Sequence, residues 1–361
     1  METGRAHTAE GTRAGPDAAG ASGPTPAAPA APAAPRGRAA SRRVGVLLQR
    51  FGALGALVLL LIAADVINPN FLTADSIRAQ LQIFCLTTAL IAVGQTLVIL
   101  TGGIDLSVGS LLAVGSCLAG VMVSAGNPTV LVFLAPMALT ALLGTVSGSI
   151  IAKARIQPIV VTLAMLIAAR GLAQLITGGG GRGHTLDLSV GTFNNLATTQ
   201  LGPLPVVGAI PISVVITLLV FLLAALFLGR TAPGRYVFAV GGNERAARLS
   251  GVSADRVKIA VYAVSGLLAG LAGVLFASYN ATSDPFNDGL FFELQTIAAV
   301  VVGGTSLLGG VGSVWRTLLG GLILTVLNAI IIQVGFARPV QLIVQGLIIA
   351  GAVVLQGGGE S

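Results

Sequence analysis

Residues 79–104 read AQLQIFCLTTALIAVGQTLVILTGGI, a run of 26 residues without a charged side chain between Arg78 and Asp105. A helix needs about 20 mostly apolar residues to cross a bilayer. An unpaired charge at the bilayer centre is costly, so the distance between charges along the chain measures the segments that can span. This run is long enough for one crossing, and the 47 residues between Asp105 and Lys153 are long enough for two.

The composition of the whole chain also indicates a membrane protein. Only 33 of the 361 residues are charged (20 Lys or Arg and 13 Asp or Glu), which is 9%, while 54% are apolar. Ordinary soluble domains carry about 25% charged residues, so a soluble enzyme of this length is excluded. A disordered chain is excluded because it needs low hydrophobicity and high charge.

The apolar intervals predict an all-α, polytopic integral membrane protein with about ten transmembrane helices, and counts from eight to ten fit the pattern. The interval 294–312 is unsuited to a plain helix, because each glycine weakens a helix by about 1 kcal/mol relative to alanine. A broken or re-entrant segment is expected there. The ten predicted spans are 51–67, 84–100, 107–124, 128–151, 158–176, 211–229, 258–278, 294–312, 317–335 and 339–356.

Lysine and arginine concentrate in the loops at one end of these spans, as they do on the cytosolic side of membrane proteins. With the N-terminus in the cytosol, nine basic residues fall in inside loops and three in outside loops, which predicts that both termini are cytosolic. The inside set is Lys153, Arg155, Arg230, Arg235, Arg245, Arg248, Arg256, Lys258 and Arg316; the outside set is Arg78, Arg182 and Arg338.

Two parts of the chain differ from this pattern and predict its domain organisation. Residues 1–43 are dominated by Ala, Pro, Gly and Arg, a composition that cannot bury a core, so a disordered cytosolic tail is expected. Residues 44–358 form the predicted transmembrane domain, which contains one long cytosolic loop at 230–257.

The first informative motif is QTLVILTGGIDLSVGS at 95–110, where an apolar helix runs into paired glycines and then a lone carboxylate. Gly102 and Gly103 permit left-handed backbone and close approach of other segments. Asp105 or Ser107 could cap the helix that follows. The motif therefore fits a capped membrane turn or a part of a transport pathway.

The second motif is GRYVFAVGGNERAARLSGVSADRVK at 234–258, inside the long cytosolic loop. Asn243 is placed to cap a short helix at 244–250, and Gly251 is placed to end it in a left-handed conformation. Such a helix could lie on lipid headgroups or dock into a groove of a partner. Its basic residues could also serve orientation alone.

The third motif is TIAAVVVGGTSLLGGVGSVWRT at 296–317, with five glycines in ten residues. Part of it echoes the first motif, because Gly303-Gly304 and Val311-Gly312-Ser313 repeat Gly102-Gly103 and Val108-Gly109-Ser110 with two extra residues. An internal duplication of about 200 residues predicts a transporter built from two related halves. Chance similarity between Gly-rich segments is the alternative.

The sequence lacks the common motifs for ATP binding, catalysis and metal binding. No GxxxxGK[ST] phosphate loop is present, so ATP would have to be bound elsewhere. The only histidines, His7 and His184, lie in the tail and in an outer loop, and no catalytic or metal-binding pattern accompanies them. We therefore expect a protein that is not an enzyme, that holds no cofactor and that draws its energy from another subunit.

The motifs TLVILTGGIDLSVGS, GRYVFAVGGNERAARLSGV and TIAAVVVGGTSLLGG together resemble the inner-membrane permease of ribose-type (simple-sugar) ATP-binding-cassette importers of bacteria. The resemblance covers about residues 45–356 and includes RIQPIVVTLAMLIAARGLA at 155–173, with Arg170 inside a predicted span. It implies a permease in the bacterial plasma membrane that pairs with a second copy or a similar permease. It further implies ATPase subunits on the cytosolic face, a sugar-binding protein outside, contact with membrane lipid and no nucleic acid.

The resemblance also assigns roles to residues. The helix near 243–250 would be the coupling helix seated in the ATPase. The candidate ATPase contacts are Gly241, Gly242, Asn243, Glu244, Arg245, Ala247 and Arg248. The candidate pathway and core residues are Gln95, Thr96, Thr101, Gly102, Gly103, Asp105, Ser107, Asn280, Gln295, Gly303 and Gly304.

The polar groups in or beside the spans could bind a hydroxylated solute, and each could equally be an interhelical hydrogen bond. The implied function is import of a monosaccharide of the pentose or hexose type. Import of a nucleoside or another small polar solute, and a standalone channel or secondary carrier, are the alternatives.

Overall fold

The structure is a computed structural model that describes residues 37–179, 186–187, 193, 197, 199–204 and 208–357. Residues 47–361 form one compact unit and residues 1–46 are assigned to another. Residues 1–36 of the predicted tail lie outside the described residues. The first helix begins at Gly37, within the predicted tail, because the last proline of that tail is Pro35 and the following GRAASRR is rich in the helix formers Ala and Arg.

Helices dominate the described residues, as the sequence predicted. They are α1 (Gly37–Ile67), α2 (Ala74–Phe84), α3 (Leu90–Leu100), α4 (Val108–Ser124), α5 (Thr129–Ala154), α6 (Pro158–Ile176), α7 (Ile212–Arg230), α8 (Ala232–Gly242), α9 (Glu244–Leu249), α10 (Ala254–Asn280), α11 (Phe292–Val302), α12 (Val314–Gln333) and α13 (Arg338–Gly357). Each of the ten predicted spans overlaps at least one of these helices, but 84–100 also includes the end of α2, and the helix in 294–312 stops at Val302.

Six of the described helical segments are long and apolar enough to cross a membrane, and three shorter apolar helices accompany them. This confirms a polytopic membrane protein but not the count of ten. One long segment, Ala74–Leu100, joins α2 to α3 through a π-helical turn at Cys85–Ala89. Turns of this widened kind are rare in proteins, and those that are found frequently lie at functional sites.

The span predicted at 294–312 is helical only in its first part, and the break expected in its Gly-rich part is present. Helix α11 ends at Val302, and residues 303–313 form a non-helical turn in which Gly304, Gly309 and Gly310 have positive φ angles. Glycine adopts this backbone without the steric cost that other residues pay, which explains why the helix stops here.

The segment between α10 and α11, residues 281–291, runs along α4 without forming a helix. Near the middle of α4, the Ser116 hydroxyl donates to the Asp288 carboxylate (2.5 Å). Near the start of α4, a side chain on Gly109 would collide with the Gly289 carbonyl. The two positions are seven residues apart, or about 10 Å along a helix. The segment therefore descends through about half of the helix bundle before α11 begins, so α11 is a half-length helix.

Two small antiparallel pairs of strands occur in the loops between helices, which the all-α prediction did not include. Strand β1 (Leu186–Asp187) pairs with β4 (Thr282–Ser283), and β2 (Gln200–Leu204) pairs with β3 (Gly208–Pro211). They fix loop ends and leave the helical architecture unchanged.

The centre of the bundle is α10, which packs against α3, α4 and α5. Small residues make these contacts close: a Cβ on Gly115 would lie 2.9 Å from the Cα of Gly270, and a Cβ on Gly148 would lie 2.9 Å from the Cα of Ile259. Close backbone approach through small residues is the usual way in which membrane helices associate. The thiols of Cys85 and Cys117 are free and buried, so both cysteines pack as small side chains, as predicted.

The two Gly-rich motifs have the same backbone structure. Helices α3 and α11 are both 11 residues long. In the first, the N–H groups of Gly102 and Gly103 donate to the carbonyls of Ile99 and Val98. In the second, the N–H groups at positions 304 and 305 donate to the carbonyls at 301 and 300. Both are Schellman endings. The equivalent hydrogen bonds lie 202 residues apart, whereas the paired glycines of the two motifs lie 201 residues apart in the sequence. Gly102 is therefore structurally equivalent to Gly304.

Candidate functional site

Three glycine-rich segments meet at one end of the bundle, in what we call the glycine junction: Gly102, Gly241, Gly242, Gly309 and Gly310. The Gly310 N–H donates to the carbonyl of Leu100 (3.0 Å), which ties the two related turns together. A Cβ on Gly241 would collide with that same carbonyl and lie 2.6 Å from the nitrogen of Gly310. A Cβ on Gly309 would lie 2.7 Å from the nitrogen of Gly102. Helix α8 therefore ends in direct backbone contact with both turns.

Most of the glycines that the sequence selected are needed where they stand, and Gly242 is the exception. Gly102 and Gly304 have φ angles of 77° and 79°. Gly103 lies against the Tyr262 hydroxyl, 2.6 Å from where a Cβ would be, and Gly303 lies against the backbone of α12, with Thr317 N at 2.8 Å from such a Cβ.

The short helix α9 follows the glycine junction and has the ends that the sequence predicted. The Asn243 side chain accepts a hydrogen bond from the Ala246 N–H (2.9 Å), and Gly251 has a φ angle of 86°. Ala247 is buried and packs with Val240 and Ala254, so it seats the helix rather than facing outward.

The outward face of α9 carries Arg245 and Leu249. Arg245 is exposed, and it forms no ion pair with the residues that the structure describes. Leu249, which sequence reasoning did not select, is 85% exposed. Nearby, Leu308 in the turn that contacts α8 is 75% exposed. An exposed cation beside exposed apolar side chains is a surface suited to a protein partner.

Glu244 and Arg248 belong to an ion-pair network instead. Arg248 pairs with Glu244 (2.8 Å) and with Asp255, and the Lys258 ammonium lies 2.6 Å from the other Glu244 oxygen. Partial burial raises the pKa of Glu244, but hydrogen bonds from Lys258 and Arg248 outweigh this effect and hold the pKa below its ordinary value. This network fixes α9 against the start of α10.

A second cluster surrounds Asp105, which is 1% exposed. One carboxylate oxygen accepts from the N–H (2.9 Å) and hydroxyl (2.6 Å) of Ser107, and the other accepts from the Ser265 hydroxyl (3.1 Å) on α10. The Gln95 amide, oriented by its hydrogen bonds, donates to the backbone carbonyl of Asp105 (3.1 Å) and accepts from its N–H (3.3 Å). Ser107 precedes α4 but makes no side-chain capping bond, so the predicted cap is replaced by its bonds to Asp105.

The remaining polar residues selected from the sequence lie apart from one another. The Thr96 hydroxyl is buried and lies 2.9 Å from that of Thr317, and the Thr101 hydroxyl donates to the carbonyl of Val98 (2.7 Å). Asn280 is exposed at the end of α10. Gln295 is half-buried and lines a cavity. The structure therefore brings Gln95, Asp105 and Ser107 together but separates them from Asn280 and Gln295.

Arg170 on α6 anchors the non-helical segment 281–291. Its guanidinium donates to the backbone carbonyls of Pro285 (3.0 Å) and Asp288 (2.8 Å). The Asp288 carboxylate in turn accepts from Ser116 and from the backbone N–H of Asp284 (3.0 Å). The arginine thus faces the protein interior, and its donors satisfy backbone carbonyls that would otherwise be costly in a membrane.

One cavity of about 290 Å³ lies between the π-helical turn, α11, α12 and α13. It is mostly apolar, with a few uncharged polar side chains. The lining residues are Ile83, Thr87, Thr88, Phe291, Leu294, Gln295, Ala298, Leu324, Thr325, Leu327, Asn328, Leu342 and Gly346. Only Gln295 among them was selected from the sequence. In the described part of the chain, no group of three or more His, Cys, Asp or Glu side chains could hold a metal ion.

Comparison with known proteins places the chain among transport permeases. A family model described as "Branched-chain amino acid transport system / permease component" matches residues 78–353. The ribose import permease protein RbsC of Haemophilus influenzae is 40% identical over 299 residues, which cover 82% of this chain and 90% of that protein. RbsC of Bacillus subtilis is 38% identical over 308 residues, covering 85% and 92%.

A third relative carries a different sugar in its name. The galactofuranose transporter permease protein YtfT of Escherichia coli is 36% identical over 268 residues, covering 74% of this chain and 76% of that protein. No solved structure matches the chain. With a family match over more than half of its residues, the chain belongs to this permease family, in the group of the ribose-type sugar permeases of ATP-binding-cassette importers.

Proposed function

We propose that this chain is the membrane-spanning subunit of an ATP-driven importer of a monosaccharide, of the pentose or hexose type. The relatives named for ribose and galactofuranose support the substrate class. ATP would be bound by a separate ATPase subunit, because the chain has no phosphate-binding loop of its own. The chain itself would therefore have no catalytic site and no cofactor.

The assembly that we propose contains two permeases, two ATPase subunits and an external sugar-binding protein, in a bacterial plasma membrane with both permease termini in the cytosol. The positive-inside distribution of Lys and Arg supports this orientation. In this orientation the glycine junction and α9 face the cytosol.

The observation that carries the proposal is the construction of α9. Ala247 and the ion-pair network hold one face of this helix on the protein, while Arg245 and Leu249 on the other face are left exposed. Only Asn243, which is extended (φ −159°), separates α9 from α8, whose end touches both Gly-rich turns. A partner that pushes on α9 would therefore act on the membrane-spanning helices through the glycine junction.

The test is reconstitution of the permease in proteoliposomes with its cognate ATPase and binding protein. We expect uptake of at least one sugar from a panel of radiolabelled D-ribose, D-galactose and D-fructose, and only when ATP is supplied on the cytosolic side. Uridine and leucine serve as the competing solutes. Uptake by the permease without the ATPase, or uptake of uridine or leucine in place of every sugar, would contradict the proposal.

The docking face is tested in the same vesicles. Arg245→Ala should lower ATP-driven uptake while leaving the unfolding temperature of the permease unchanged, because Arg245 makes no ion pair within the described chain. Glu244→Gln should lower both, because it also breaks the ion pair with Lys258 (2.6 Å). Unchanged uptake in Arg245→Ala would remove this arginine from the docking face.

A further inference from the structure

The cavity between the π-helical turn, α11, α12 and α13 lies at mid-length of the membrane-spanning helices. Thr87 is the central residue of the segment Ala74–Leu100, and Gly346 is near the centre of α13. The first wall comes from the segment that ends in the first Gly-rich turn, and the others come from the second half of the chain. Solute sites of secondary transporters built from repeats lie at this depth, between the repeats.

Two irregularities of the backbone border this cavity. The π-helical turn at Cys85–Ala89 places both Thr87 and Thr88 on the cavity wall. Phe291, the residue before α11, has a φ angle of 65°, which is a true outlier for a bulky residue. Strained residues persist only where the surrounding structure holds them, and they concentrate at ligand sites. Both deviations therefore fall at the same cavity.

The polar groups of the lining have hydrogen-bonding capacity left for a ligand. The Gln295 amide makes no hydrogen bond to the residues that the structure describes, and it is only half-buried. Across the cavity, the hydroxyls of Thr87 and Thr88 lie 3.3 Å apart, and that of Thr87 donates to the Ile83 carbonyl (2.9 Å). Each hydroxyl has two lone pairs, so acceptor capacity remains on both.

The uncharged lining of the cavity restricts which ligand can bind there. None of the thirteen lining residues is charged. A zwitterionic amino acid would leave its ammonium and carboxylate unpaired there, which is costly in a low-dielectric site. A neutral, hydroxylated ring needs only hydrogen bonds on its edges and apolar contact on its faces, which Phe291 and the surrounding leucines supply.

We propose that this cavity is the binding site for the transported solute within the membrane, and that it selects a neutral, hydroxylated ring of monosaccharide size. This inference rests on the proposed function and assigns to the permease a selective site of its own. The Gln295 amide and the two threonine hydroxyls bind the hydroxyl groups, and Phe291 packs against one face of the ring.

Two glycines of α13 provide a matched test. Gly346 lines the cavity and Gly351 does not, yet a Cβ on either would meet no atom within 4 Å. Gly346→Phe should fill the cavity and lower sugar uptake by the complete importer by more than about tenfold, the equivalent of losing one typical net hydrogen bond. Gly351→Phe should transport at the wild-type rate. Both variants should match the wild type in unfolding temperature and in the amount of assembled complex.

The outcomes separate this inference from the proposed function. If the wild-type importer takes up none of the panel sugars, the proposed function fails. If the wild-type importer takes up a panel sugar and Gly346→Phe is equally active, only the cavity assignment fails. Equal loss in both variants would mean that lipid or the second permease lies against this face of α13, and it would also overturn the assignment.

A binding measurement does not depend on turnover. In a Gln295→Cys permease assembled in the complete importer, a water-soluble thiol reagent should modify the new thiol, and saturating D-ribose with the binding protein should slow the modification. Background is low because Cys85 and Cys117 are 3% and 0% exposed. If D-ribose and each of the other panel sugars leave the rate of modification the same as in the absence of sugar, the proposal is overturned.

Discussion

Single polar residues in apolar helices play two different parts in this protein. Gln95, Thr96 and Asp105 bind other groups of the permease, so their polarity is used to join helices. Gln295 faces a cavity and has capacity for a ligand. Both kinds look alike in the sequence, because an isolated polar side chain among apolar ones has the same signature whether its partner is a helix or a solute.

Asp105 is the residue whose loss should most weaken this internal network. Asp105→Ala leaves the hydroxyl of Ser265 and the N–H and hydroxyl of Ser107 without their acceptor. Each buried polar group that loses its partner costs about 1–3 kcal/mol. We therefore expect a large fall in the unfolding temperature of the purified permease in detergent, measured by intrinsic fluorescence.

The control for this variant is Asp75→Ala. The Asp75 side chain is 91% exposed and pairs with Arg78 at the surface (3.1 Å). Exposed pairs of this kind contribute about 0–1 kcal/mol. Equal changes in the two variants would show that the Asp105 cluster does not stabilise the fold.

Among the elements, α8 matters most for the connection between the cytosolic segment and the bundle. The sequence motif led us to expect a loop before α9, but residues 232–242 are helical. The sequence carries a signal for the start of this helix, because Thr231 is placed at the N-cap and Pro233 lies in the first turn. In the structure, the Thr231 hydroxyl accepts a hydrogen bond from the Gly234 N–H (3.0 Å). Threonine at the N-cap followed by proline is a common helix start.

The adjacent glycines at the end of α8 give a prediction for this element. Gly241→Ala places a methyl group against the Leu100 carbonyl and 2.6 Å from the nitrogen of Gly310, so α8 must move away from the glycine junction. Gly242→Ala meets no atom within 4 Å. We expect Gly241→Ala to abolish ATP-driven uptake in proteoliposomes and Gly242→Ala to retain most of it.

Membrane abundance, measured by immunoblot, separates a failure of insertion from a failure of coupling. If Gly241→Ala is as active as Gly242→Ala, the contact between α8 and the Gly-rich turns has no role in transport.

Along the full chain, the placement of charges was sufficient to predict most of the helices. The span predicted at 158–176 coincides with α6, because Arg155 and Pro158 mark its start and the apolar run its end. The glycines of 303–312 correctly predicted a break. The descent of residues 281–291 into the bundle was not predicted, since it depends on contacts with Arg170 and Ser116, which are distant in the sequence.

The cavity could not be predicted for a similar reason. Thr87 and Thr325 both donate to the carbonyl four residues earlier, and so does Thr145, which does not line the cavity. A threonine that satisfies its own helix carries no mark of what lies on its other side. Only the packing of four separate elements shows which of these hydroxyls share a space.

The contact between Gly241 and the turns at Leu100 and Gly310 joins main chain to main chain, with no side chain in between. A side chain can rotate and absorb a small movement, whereas closely packed backbone is nearly incompressible and transmits it. The two turns are equivalent parts of the two halves and are also hydrogen-bonded to each other (3.0 Å). We therefore expect a displacement of α8 to move both turns together, which couples the two halves of one subunit mechanically.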